Sequence, residues 1–178
     1  MAFEKVLPSL ILAGALGLAG ECGEASAHEY GPDVVAVARL AVNEASFSPS
    51  DDATAIALVV SRNARRAGLS PAAYVERYHR RIGSTRAWVA ELDASFERPA
   101  SWPESAVPWD EVGREKWARV LANVDAALAG RARIRCEAST WGSPVVDAER
   151  LARMTAAGWE LVPCGATRNV FVRRSRRD

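Results

Sequence analysis

Apolar positions recur with helical spacing over most of the chain. Val34, Val37, Ala38, Ala41 and Ala45 fall at i, i+3, i+4, i+7 and i+11 behind Gly31-Pro32-Asp33, which predicts a helix capped by Asp33. Ala53, Ile56, Ala57, Val60 and Ala64 predict a second helix, capped by Ser50, with Asp51 and Asp52 as favourable charges in its first turn and Gly68 closing it. Leu58 and Val59 lie off that stripe, so this helix is apolar nearly all round and belongs at the centre. Ser70-Pro71 opens a third helix reaching about Arg81, and a short fourth begins near Ser84 and carries Trp88 and Leu92.

Pro99, Pro103 and Pro108 make the stretch from Ser95 to Pro108 a loop. A long helix follows, with Trp117, Val120, Leu121, Val124 and Leu128 on one face and Gly130 at its end. Arg131 to Ser143 reads as irregular or strand-like, and Asp147 to Ala157 as a last helix stopped by Gly158. Trp159 to Cys164 and Asn169 to Arg173 flank Gly165-Ala166-Thr167-Arg168 in the manner of a β-hairpin. The expected class is mainly α (α+β), a helical core with a small C-terminal β-hairpin.

The N-terminus reads differently. Val6 to Gly20 carries no charge, and a polar stretch then leads to Ala25-Ser26-Ala27. This fits a secretory signal cleaved after Ala27, or a retained apolar helix; fifteen residues are too few for a stable membrane span. The expected division is therefore residues 1–27 as signal or apolar helix and 28–178 as one domain, a reasonable load for 178 residues. Cys22 lies in the first segment, which leaves Cys136 and Cys164 as one disulfide or two buried thiols. A secreted, envelope or periplasmic location follows from the signal reading, and a phage virion is the other destination considered.

Charge narrows the partners. The formal net charge is +1, and +3 once Glu4, Glu21, Glu24 and Lys5 leave with residues 1–27, so nothing singles out nucleic acid. The cationic runs Arg62/Arg65/Arg66, Arg77/Arg80/Arg81 and Arg173 to Arg177 read as solvated faces and a chain end. The chain has no HExxH, no paired CxxC, no P-loop and no dinucleotide fingerprint, so no motif implies a metal or cofactor.

Glu44 is the residue that points to chemistry. It ends an apolar helix, where the dipole is unfavourable for an anion, and carboxyls so placed tend to hold the proton a general acid needs. The alternative is a solvated helix-end glutamate, or one paired with Arg39 or Arg65. Asp51, Asp52, Asp110 and Glu111 are the carboxylates available as a second catalytic group. Six tryptophans are many for this length; Trp102 and Trp141 are placed either as flat faces for a glycan or as core, while Trp88, Trp109, Trp117 and Trp159 read as core anchors. His79, in an arginine-rich helix, reads as surface.

The hexapeptide Glu44-Ala45-Ser46-Phe47-Ser48-Pro49 is similar to the E-S-x-F-x-P signature of lysozyme-like lytic transglycosylases. The longer stretch from Ala38 through Asn63 resembles the cell-wall hydrolases related to spore-cortex lytic enzymes, as do Ala138 to Gly142 and Cys164 to Phe171 for phage-associated members. This resemblance implies a lysozyme-like fold and cleavage of peptidoglycan between N-acetylmuramic acid and N-acetylglucosamine. It places the catalytic acid on Glu44 and glycan contacts on Asn63, Trp141 and Asn169. Ala45 departs from the usual Ser, and the Gly-Leu-Met-Gln-like segment is missing. The competing expectation is a non-catalytic wall-binding module or a virion or tail protein, with other virion proteins as partners. A low-charge cleft around Glu44, between the first helix and the hairpin, favours the enzyme; an open, solvated Glu44 opposes it.

Overall fold

The computed structural model describes residues 30–84 and 86–175. The expected signal segment, with Cys22 and His28, and the last arginines of the tail lie outside the described residues. The order of elements is α1 (Pro32–Ala45), α2 (Asp52–Ala67), α3 (Pro71–Tyr78), α4 (Ala87–Glu91), α5 (Arg114–Leu128), β1 (Thr140–Gly142), α6 (Ala148–Ala156), β2 (Trp159–Leu161) and β3 (Val170–Arg174). A wide π-type turn over Trp109–Gly113 leads into α5. The chain is mainly helical with a small antiparallel sheet.

The predicted apolar faces are the buried ones. Val37, Ala38 and Ala41 of α1, Ile56, Ala57 and Val60 of α2, and Trp117, Leu121 and Val124 of α5 form one core. Leu40, Val42, Ala55 and Val59 are buried too, so α1 and α2 bury more than a single stripe. The central place expected for α2 is observed: it packs against α1, α3 and α5.

The caps differ from expectation. Gly31 and Pro32 start α1, while Asp33 accepts a hydrogen bond of 2.8 Å from the Ala72 N–H and so caps α3 from a neighbouring helix. Asp51, not Ser50, precedes α2; the Ser50 hydroxyl donates to Asp52 at 2.5 Å. Ser70 caps α3 as predicted, accepting from the Ala73 N–H. That helix ends at Tyr78, three residues early, where His79 leaves helical geometry and stacks on Trp141.

The proline-rich loop is held by indoles. Trp117 donates to the Asp93 carbonyl, Trp109 to that of Phe96 and Trp102 to that of Val107. A buried indole N–H needs an acceptor, and these loop carbonyls need donors, so each bond satisfies two groups. Trp102 and Trp109 meet edge to face at 5.0 Å. Gly113 makes room for both, since a Cβ there would lie 2.8 Å from Trp109 Cε3 and 3.2 Å from Trp102 Cζ2.

The hairpin gains a third strand. β3 lies between β1 and β2, with Trp141 opposite Phe171 and Glu160 opposite Arg173, both pairings antiparallel. Part of the stretch from Arg131 to Ser143 thus completes the sheet. Cys136 and Cys164 are joined in a disulfide that closes 28 residues of sequence. In chain-entropy terms this is worth about 3–4 kcal/mol.

Two features of α2 fasten this C-terminal part. Arg62 donates to the carbonyls of Cys136 and Ala138, and Asn63 donates to that of Ser139 at 2.9 Å. At the other end, Asp51 accepts from the Ala166 N–H at 2.7 Å, and Asp52 accepts from Arg168 and Asn169. Gly165, at φ 82°, is the turn that permits this approach: a Cβ there would lie 2.4 Å from Asp51 Oδ2. Asp51 and Asp52 are therefore more than helix-start charges; they tie α2 to the loop before β3.

Candidate active site

α1 ends on the sequence Asn43-Glu44-Ala45, and its capping residue, Ser46, has φ 56° and ψ −160°. That region is almost closed to residues with a Cβ, and holding one there costs on the order of 1–3 kcal/mol. Two bonds keep Ser46 in place: its N–H donates to the Val42 carbonyl at 2.8 Å, and its hydroxyl accepts from the Arg86 guanidinium at 2.5 Å. The backbone thus turns sharply just after Glu44 and sends Phe47 across to stack on Trp88, 5.6 Å between centroids.

Glu44 lines a pocket of about 370 Å³ between the end of α1 and the segment from Arg77 to Ile82. Leu40, Asn43, His79 and Ile82 line it, and Arg77, Arg80 and Arg81 bring positive charge to it. Among these lining residues Glu44 is the one carboxylate. It is exposed, and Asn43 Nδ2 donates to its Oε1 at 3.3 Å. Arg39, an alternative partner, donates instead to the Leu92 carbonyl. The surroundings are thus cationic, the pocket faces residues 77–82 rather than the hairpin, and Glu44 is exposed, three features that weigh against the enzyme reading.

His79 enters the site although the sequence suggested a surface role. Its ring is half-buried and lies parallel to the Trp141 indole at 5.5 Å and 13°. Burial pushes its pKa below the ordinary 6.5, and the Glu44 carboxylate pulls it back up. Through this stack β1 backs the wall of the Glu44 pocket. The signal in the sequence was weak: one of only two histidines, at the first position where the third helix loses its apolar spacing.

The other candidate residues fall elsewhere. Asn63 has its amide on Ser139, and Asn169 is 7% exposed with its amide on Asp52 at 3.0 Å, so both amides serve the fold. Trp102 and Trp141 are 6% and 7% exposed, core side chains rather than open faces. Trp102 nonetheless lines a second groove, against the Ser46–Pro49 segment, together with Phe47 and Trp88. Of the possible second carboxylates, Asp51 and Asp52 are engaged with the loop before β3, and Asp110 and Glu111 are exposed on the turn before α5.

Among the described residues no group of three or more His, Cys, Asp or Glu side chains could hold a metal ion, and no helix is long and apolar enough to cross a membrane. Compared with protein-family models, with curated proteins and with solved structures, the chain matches none.

Proposed function

We propose that this chain is a peptidoglycan-cleaving glycosidase of lysozyme-like type, exported to the cell envelope or packaged in a virion, with Glu44 as its general acid. The observation that carries the reading is the place of Glu44: the single carboxylate of a pocket at the end of α1, just before a strained turn and beside the stacked His79 and Trp141. Strained backbone concentrates at functional sites. The disulfide between Cys136 and Cys164 supports an oxidising, exported destination.

One acid is enough for a lytic transglycosylase. The Glu44 carboxyl gives its proton to the glycosidic oxygen as the C1–O bond breaks and the sugar gains oxocarbenium character. The 6-hydroxyl of the muramyl residue then bonds to C1 and returns a proton to the Glu44 carboxylate, which leaves a 1,6-anhydro end and a regenerated acid. A hydrolase would need a second carboxylate nearby, and the pocket lining supplies none among the described residues.

The cationic ring favours a second reading, a wall-binding or virion structural protein without turnover, because Arg77, Arg80 and Arg81 suit an anionic polymer whether or not a bond is cut. Digestion of purified peptidoglycan by the full chain and by Glu44→Gln, with products read by mass spectrometry, separates the two. Anhydro-muramyl products from the wild type alone support the transglycosylase, and reducing ends support a hydrolase. Sedimentation with the wall without any product supports the binding module. Neither binding nor cutting rejects both.

A further inference from the structure

The groove against the Ser46–Pro49 segment has an aromatic floor, and its charged lining residues are all cationic. It measures about 560 Å³ and is lined by Phe47, Trp88 and Trp102 below, by Pro49, Pro103, Ala106 and Val107 at the sides, and by Arg86, Lys116 and Arg168. No Asp, Glu, Asn or Gln is among its lining residues. Trp88 meets Trp102 edge to face at 4.7 Å.

This donor set selects a ligand class. Arginine and lysine donate hydrogen bonds and accept none, so they match groups that only accept, such as a carboxylate. A neutral sugar ring presents hydroxyls that both donate and accept, and it needs acceptor side chains that the charged rim lacks; Ser46 and Ser48 are the only side-chain acceptors in the lining. The apolar floor requires in addition a body with aliphatic surface. An acidic peptide with small aliphatic side chains meets both demands.

We infer that this groove binds a short acidic peptide, its carboxylates on Arg86, Lys116 and Arg168 and its aliphatic side chains on Phe47 and Trp88. The inference rests on the glycosidase reading only for the source of the peptide, since peptidoglycan strands carry acidic peptide stems beside the bond Glu44 would cleave. Ser46 and Ser48 line the groove while Asn43 and Glu44 line the pocket, so one six-residue segment separates the two sites.

The test is a titration of the full chain with N-acetylated Ala-Glu-Ala-Ala, followed by the indole N–H NMR signals of Trp88 and Trp102. Its Gln-containing C-terminal amide and inorganic phosphate are the comparison ligands. The acidic peptide should saturate and move these signals, the neutral one should bind at least several-fold more weakly, and added salt should weaken the acidic one. Arg168→Gln and Lys116→Gln should each weaken binding about two- to fivefold, as expected for charges that water still reaches, with spectra otherwise unchanged. Glu44→Gln should bind the peptide as the wild type does, so a lost cleavage activity leaves this result standing. Equal binding of the neutral peptide, equal binding by both charge variants, no saturation, or phosphate alone reproducing the shifts would each overturn the inference.

Discussion

Asp52 and Asn169 lie 117 residues apart in sequence and are joined twice: one Asp52 oxygen accepts from both the backbone N–H and the side-chain amide of Asn169, each at 3.0 Å. Its other oxygen accepts from the Arg168 N–H at 2.8 Å and from the Ser50 hydroxyl at 2.5 Å. Asp52 is 1% exposed, so these partners replace its water. Asp52→Ala would strand several donors in a dry site and should lower stability by about 3–5 kcal/mol in urea unfolding. Asp51→Ala gives up one hydrogen bond at a half-buried position and should cost about 1–2 kcal/mol. Equal effects of the two variants would contradict this account.

The helices were legible because their apolar faces repeat at helical spacing, and Val37, Ile56 and Trp117 are fully buried as that spacing requires. What stayed hidden was the use of polar groups at long range. Asp33, Asp51 and Asp52 read as local helix starts, yet each accepts from a segment far along the chain. Pairing of this kind leaves no period in the sequence. β1 fell within the stretch read as irregular or strand-like, and its bounds stayed open for a similar reason: three residues are too few to show alternation, and their pairing with β3 is set by tertiary contacts. At the candidate site, the motif marked Glu44 as a candidate, while His79 read as surface, because its burial depends on Trp141 from a distant strand.

The disulfide invites a direct measurement. With 28 residues between Cys136 and Cys164, reduction should lower the unfolding free energy by about 3–4 kcal/mol. Arg62 holds the carbonyls of Cys136 and Ala138 independently of the sulfurs, so the reduced protein should still fold. Urea titrations with and without reductant test both statements; a loss below about 1 kcal/mol would reject the chain-entropy estimate here.

His79 should make stability depend on pH. Its folded pKa lies below the unfolded 6.5, because burial disfavours the imidazolium more than Glu44 favours it. The unfolded chain therefore binds more protons at this group, and its stabilising contribution, full above pH 6.5, is lost as pH falls from there through the folded pKa. Glu44→Gln removes the carboxylate that raises the value, so the His79 resonance in an NMR titration should show a still lower pKa. A rise in that variant would mean that Glu44 does not face the ring.

Asn43 should act as a positioning residue for Glu44. Its Oδ1 accepts from the Gly83 N–H at 3.3 Å, which turns its amide nitrogen toward Glu44 Oε1, also at 3.3 Å. Gly83 is fixed in turn: its φ is 80°, and a Cβ there would lie 2.9 Å from the Ala90 Cβ on α4. The opposite orientation would set the amide oxygen against a carboxylate, so the network decides which way the side chain lies. On the glycosidase reading, Asn43→Ala should lower kcat by about tenfold with KM little changed, because the carboxyl loses its orientation rather than its substrate. A purely structural role for Asn43 would lower thermal stability and leave the kcat of the folded enzyme unchanged.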